Sequence, residues 1–208
     1  MAAAHKVNWR TTAWITTFAV VLVWSAIEPK DYLTWLLEVS PALAGAGVLW
    51  VTRATFPLTR LTYVLILIHM IILMVGGHYT YAEVPLFDWL RDEFDLARNN
   101  YDKVGHLAQG FVPALLAREI VIVKNVFQSR AWRDFFVVCF CLAFSAFYEL
   151  IEWWVALLSD KAAESFLGTQ GYVWDTQSDM FLALIGAVLG LLLLGRRQDR
   201  EIAASRSA

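Results

Sequence analysis

Apolar residues in this chain gather into long runs, and most of the polar residues fall at the run ends. A hydrocarbon core about 30 Å thick takes roughly 20 residues of helix, with about 17 as the lower limit. Six runs meet that length, near Thr11 to Ile27, Tyr32 to Thr52, Leu61 to Gly76, Val104 to Val123, Phe135 to Leu158 and Asp175 to Leu194. The pattern predicts an all-α fold: a polytopic membrane helical bundle of about six transmembrane helices, one integral membrane domain over residues 1–208. Glu38 and Pro41 interrupt the second run, so the segment before Pro41 is a candidate to lie along the interface instead. The first run follows Lys6 and Arg10 but lacks a good small-residue cleavage site at Trp24-Ser25-Ala26, and reads as an uncleaved anchor.

The stretches between runs set the orientation. With six spans and a cytoplasmic N-terminus, five of the 17 basic residues fall outside (Lys30, Arg91, Arg98, Lys103 and Lys161), leaving 12 inside. The positive-inside rule therefore predicts that both termini are cytoplasmic. Trp9, Trp24, Trp50, Trp89, Trp132 and Trp174 fall mostly near span ends, where amphipathic rings settle. The longest connection, Gly77 to Lys103, contains an apolar and acidic alternation from Pro85 that suits an amphipathic helix at the membrane surface. The connection from Ser159 to Trp174, with Gly168 and Gly171, reads as an irregular cap. Both are expected to face outward.

Composition agrees. Apolar residues make up 59% of the chain, charged residues 17%, and the mean hydropathy is +0.52; soluble domains are about 45–50% apolar and about 25% charged. A net charge of -2 leaves no basic excess for nucleic acid. Cys139 and Cys141, two apart in an apolar run, face different directions on a helix and read as buried small hydrophobes without a disulfide.

Ionisable side chains inside a bilayer are costly, and those present usually face the bundle interior and mark a site. His78 ends the third run, followed by Tyr79 and Tyr81. Asp102 and His106 open the fourth at i and i+4, on one helix face. Glu149 and Glu152 share a face of the fifth at i and i+3. Asp175 and Asp179 open the sixth at i and i+4, ahead of Gly186 and Gly190, whose small size admits a close neighbour. The six-span topology brings all of these to one depth near the outer surface. Carboxylates and imidazoles on facing helices are how bundles build metal sites, and a proton relay uses the same groups.

The candidate ligands of a divalent metal ion are His106, Glu149, Glu152 and Asp179; His78, Asp102 and His106 are the acid–base candidates, with Asp175, Tyr79 and Tyr81 in support. Helix caps and interhelical hydrogen bonds are the plain alternative for Asp102, Asp175 and His106, and His69 reads as a packing histidine bonded to a neighbouring helix.

Asp102-Lys-Val-Gly-His106, the glutamates of the next span, and Asp179 with its spaced glycines resemble the VanZ-like membrane proteins over about the C-terminal half. The Asn that those proteins often carry after the last Asp is missing, since Phe181-Leu-Ala-Leu184 occupies that stretch. Over nearly the whole length, through Gly-Gly-His78-Tyr-Thr-Tyr81, Arg98-Asn-Asn-Tyr-Asp102, Tyr148-Glu149-x-x-Glu152-Trp and Trp174-Asp-Thr-Gln-Ser-Asp179-Met, the chain more closely resembles the YjdF family of bacterial inner membrane proteins. The resemblance implies a multi-pass protein of the inner (cytoplasmic) membrane and supplies no activity.

Three functions compete. One is metal-dependent hydrolysis of a lipid or lipid-linked envelope substrate, resting on the constellation alone, because HExxH, Gly-x-Ser-x-Gly and phosphate-loop motifs are absent. The second is a non-catalytic envelope protein with a structural polar cluster. The third is a proton- or cation-coupled transporter, a poorer match to six spans without a visible inverted repeat. Membrane lipids are the expected surroundings.

Overall fold

The computed structural model describes residues 9–158 and 172–206, and its described residues form seven helices and no strand. They are α1 (Trp9–Ser25), α2 (Tyr32–Thr52), α3 (Arg60–His78), α4 (Pro85–Glu93), α5 (Tyr101–Val123), α6 (Arg130–Leu158) and α7 (Asp175–Arg206). Five of them, α2, α3, α5, α6 and α7, are long and apolar enough to cross a membrane. The sixth expected span is α1, whose 17 residues sit at the lower limit for a bilayer. The expected cap from Ser159 lies outside the described residues up to Gly171.

The segment before Pro41, a candidate to lie along the interface, is continuous with the rest of α2, which is one helix with Pro41 inside it. Proline has no N–H for the carbonyl four residues back. The Ser40 hydroxyl donates to that carbonyl, Leu37 O, at 2.8 Å, so the break in the ladder is repaired locally, as lipid surroundings require. Asp31 opens the same helix by accepting from the Thr34 backbone amide at 2.7 Å, and that hydrogen bond holds its carboxyl below the ordinary carboxylate value.

α5 is the central element. On one side Val112 joins Val39, Ala42, Ile66, Met70 and Met74 of α2 and α3; on the other Ala114 packs with Val137, Cys141 and Ala187 of α6 and α7. Cys141 is buried as expected, whereas Cys139 is exposed on the outer face of α6. That face carries Phe136, Phe140, Phe144 and Phe147, all exposed, which suits hydrocarbon better than water.

The closest approach is between α5 and α7. A Cβ on Gly110 would lie 1.8 Å from Ala183 O, and one on Gly186 would lie 2.1 Å from Leu107 O. Only glycine lets these two backbones meet. Gly186 thus does what its position predicted, and Gly110 is its counterpart.

α7 is 12 residues longer than the span read from sequence, ending at Arg206 instead of Leu194; at 1.5 Å per residue it is about 48 Å long. Its polar C-terminal part belongs to a buried network at the end of the bundle rich in Arg and Lys. Glu119 accepts from the Thr59 amide (2.5 Å), the Thr59 hydroxyl (2.7 Å), the Thr62 hydroxyl (2.5 Å) and Gln198 Nε2 (3.3 Å). Arg118 donates to Gln198 Oε1 at 3.0 Å and to Asp199 at 2.7 Å. Glu119 is therefore fully satisfied, a tie between α3, α5 and α7.

At the opposite end α4 forms from Pro85, which suits the first helical turn. Leu86 and Trp89 are exposed on one side, and Arg91 bridges Asp88 and Asp92 on the other. The amphipathic helix expected there is present. Asn99, fully buried, fastens it to α5 by donating to Val84 O and Asp88 Oδ1, each at 3.1 Å.

Candidate functional site

At the end of the bundle away from the Glu119 network, α5 and α7 open side by side. Asp102 and His106, one turn apart on α5, meet Asp179 from the first turns of α7. His106 Nε2 lies 3.2 Å from Asp102 Oδ1 and 3.8 Å from Asp179 Oδ2. Donor atoms of these three residues all lie within 4.8 Å of one another, close enough to hold one metal ion. The other ring nitrogen, Nδ1, is 3.1 Å from Gln109 Oε1 and 3.9 Å from Glu149 Oε1 on α6. An amide oxygen only accepts, so Nδ1 carries the proton toward Gln109. Nε2 then points at two carboxylates, an arrangement that needs a proton on Nε2 or a cation between them. A histidine anchored through one nitrogen and free to ligate through the other is the usual outer-shell pattern of a metal site.

Arg98 stands at the entrance, 7% exposed, with Nη1 2.6 Å from Asp175 and Nη2 3.4 Å from Asp102. Asp175 is thereby committed to holding Arg98. Three buried carboxylate oxygens have no hydrogen-bond partner among the described residues: Asp175 Oδ1, which faces Arg98 as an ion pair, and Glu149 Oε1 and Asp179 Oδ1, which have no Arg or Lys against them. This differs from Glu119, whose oxygens are all used. Buried acceptors of that kind are costly unless a cation or a proton meets them. The nitrogen and oxygen donor set, one imidazole and two carboxylates, suits a divalent first-row ion or Mg²⁺. Among the predicted ligands, His106 and Asp179 fall in this group of three. Asp102, expected as an acid–base residue, joins them, while Glu149 flanks the imidazole.

Glu152 stands between two cavities. The smaller, about 440 Å³, opens between α6 and α7 and is bordered by Glu149, Glu152 and Asp175. The larger, about 740 Å³, lies between α2, α3, α5 and α6; Glu152, Asp102, His106 and Tyr81 line its polar end. His69 lines this larger cavity and makes no hydrogen bond among the described residues, so the expected bond to a neighbouring helix is not formed. The Tyr81 ring covers the position a side chain on Gly76 would need, 2.2 Å from where a Cβ would sit.

His78 and Tyr79 do not join the group. His78 Nδ1 is 3.1 Å from Ser25 O, and the ring packs against Trp24 and Tyr79 at centroid distances of 4.6 and 4.5 Å. The end of α3 is turned toward α1 by these contacts, so the expectation of His78 as an acid–base residue at this site, with Tyr79 in support, is corrected. Both tie α3 to α1 instead.

Three residues of the site, Glu38, Arg98 and Gln109, are not among those that the sequence pattern singles out. Glu38, 7% exposed, borders the larger cavity and accepts from the Tyr148 hydroxyl across it at 3.2 Å. Its signal in the sequence is a lone carboxyl in an apolar run. Arg98 was visible as a partner only through its i, i+4 spacing to Asp102.

The fold and this cluster define an α-helical membrane protein with a buried histidine–carboxylate site at one end of its bundle. The chain belongs to the family described as "Predicted membrane protein (DUF2238)", whose model matches residues 10–200. It is 49% identical over 186 residues to "Inner membrane protein YjdF" of Escherichia coli (strain K12), covering 89% of each chain. No solved structure matches it. The chain is accordingly a multi-pass inner membrane protein; its likeness to VanZ-like proteins rests on the motifs alone.

Proposed function

We propose that this protein is a metal-dependent hydrolase of a lipid or lipid-linked envelope substrate, working at the outer-leaflet end of the bundle. The observation that carries the reading is the convergence of Asp102, His106 and Asp179 beside buried carboxylate oxygens that have no hydrogen-bond partner among the described residues. The outward placement is supported by the basic residues gathered around the opposite end of the bundle.

Asp102, His106 and Asp179 hold the ion, which when bound supplies positive charge against a phosphoryl or carbonyl oxygen. Gln109 fixes the imidazole tautomer, and Arg98 holds Asp102 and Asp175 apart from one another's charge. Glu149 has an unengaged oxygen 3.9 Å from the imidazole and is the residue placed to take a proton from attacking water. A purely structural cluster is the weaker reading, because such clusters pair their atoms, as the Glu119 network does.

The test is the metal content of detergent-purified protein after equilibration with Mn²⁺, Zn²⁺ or Mg²⁺. Wild type is measured beside an Asp102→Asn, Asp179→Asn double variant, with chelator-sensitive release of head groups from a bacterial lipid extract as the activity readout. Stoichiometric metal in wild type and none in the folded double variant is the expected result. Equal metal in both, or none in either, overturns the assignment.

A further inference from the structure

The larger cavity is a lateral cleft in the bundle. It runs beside α2 from Glu38 to Thr52, about 21 Å at 1.5 Å per residue, which exceeds the roughly 15 Å half-thickness of a hydrocarbon core. Its walls are mostly apolar along that length, with Leu49 on α2, Met70 on α3, Leu116 on α5 and Phe144 on α6, interrupted by His69 and Gln109. Its carboxyl groups, Glu38, Asp102 and Glu152, line it together with His106, while Lys124 borders it near the C-terminal end of α5. α2 packs on α3 and α6 packs on α5, so α2 and α6 face one another across the cleft, bridged at its polar end by the Tyr148–Glu38 hydrogen bond. An apolar channel of this length, open sideways and ending at a polar site, matches a single hydrocarbon chain lying parallel to the lipid tails.

Charge decides what the head of that chain carries. The polar end and its surroundings hold six carboxyl groups, Glu38, Asp102, Glu149, Glu152, Asp175 and Asp179. Against them stand Arg98, already shared by Asp102 and Asp175, Lys103 near Asp102, and the His106 imidazole. Glu38 is not one of the three residues grouped to hold a divalent ion, and its hydrogen-bond donors are the neutral hydroxyls of Tyr148 and Tyr81. A buried carboxyl beside an apolar channel favours a positively charged partner.

We infer that the substrate is an amphiphile with one long hydrocarbon chain and a primary ammonium group in its head. The chain enters between α2 and α6 and fills the cleft, and the ammonium is read by Glu38. This deepens the hydrolase reading and rests on it for the view that the head reacts beside Asp102, His106 and Asp179. Glu38 is a specificity-determining residue here, and the Tyr148–Glu38 bond opens as the head passes.

The test uses three single-chain probes of equal length, each with a photoreactive diazirine at the chain end and an ammonium, hydroxyl or sulfonate head. They are crosslinked to the full-length protein in detergent, and the labelled peptides are mapped. The ammonium probe is expected to label cleft residues such as Leu49 and Leu116 about tenfold more than the other two, the worth of one charge-assisted hydrogen bond. Val48→Trp, which narrows the cleft, should abolish that labelling. Glu38→Gln should erase the preference for ammonium while the hydroxyl probe still labels the cleft, which shows that the variant is folded.

Equal labelling by all three heads, or labelling spread over α1 and over Phe136 and Phe140 of α6, which lie outside the cleft, overturns the inference. Metal content of the same preparations separates the two claims. Selective cleft labelling in protein that binds no metal removes the hydrolase reading and keeps the ammonium site; full metal with unselective labelling does the reverse.

Discussion

The site exists because α5 and α7 touch at glycine, and Gly110→Ala tests that dependence. The new Cβ would sit 1.8 Å from Ala183 O, 2.6 Å from Ala183 C and 2.8 Å from its Cα. All three are backbone atoms, so no side chain can swing aside. Ordinary contact begins near 3.4 Å, leaving a shortfall of 1.6 Å that the two helices must supply by parting. Overpacking of a tight interface costs about 1–3 kcal/mol; for a chain of this size that lowers Tm by roughly 2–12 °C.

The same displacement acts on the cluster. Asp179 Oδ2 begins 3.8 Å from His106 Nε2 and moves toward about 5 Å, so the three donors no longer meet around one ion. Gly47→Ala is the control: a Cβ there meets nothing within 4 Å, and replacing glycine in a helix gains up to about 1 kcal/mol. Thermal unfolding in detergent, with metal content read on the same samples, measures both effects. A Gly110→Ala protein as stable as wild type and with undiminished metal would refute the claim that this contact assembles the site.

At the far end of the bundle, Glu119→Ala strips the acceptor from Thr59, Thr62 and Gln198 and should cost about 3 kcal/mol or more. Metal content in the surviving folded protein should be unchanged, because the network is remote from His106; unfolding midpoints with elemental analysis check both. Asp31 gives a pH signature. Its folded carboxyl titrates below its ordinary value of 3.8, so the stability that its cap contributes is complete above that value and fades as the pH falls through the lowered one. The cap is exposed, so its worth lies toward the low side of the usual cap range, about 0.5–1 kcal/mol. Asp31→Asn, which keeps an N-cap acceptor without the titrating carboxyl, should flatten the fall of the Tm profile below pH 3.8 relative to wild type.

The sequence by itself determined what depends on local composition and periodicity. Runs of apolar residues can satisfy their backbone in lipid only as helices, so α2, α3, α5, α6 and α7 were legible. The pairing of Asp102 with His106 was legible too, because i, i+4 spacing is a property of one helix. The closeness of Gly186 to a neighbour followed from its size. What sequence could not supply was the lateral arrangement of the helices. Glu38 faces Tyr148 because α2 packs on α3 while α6 packs on α5, and no spacing within either helix encodes that. His78 left the expected site because the end of α3 turns toward Ser25 and Trp24. Glu119, silent in an apolar run, became a satisfied tie once the extension of α7 brought Gln198 to it. Local physics fixes helices one at a time, whereas the choice of partner for each face is made by packing of the whole bundle, and the cluster and its cleft exist only at that level.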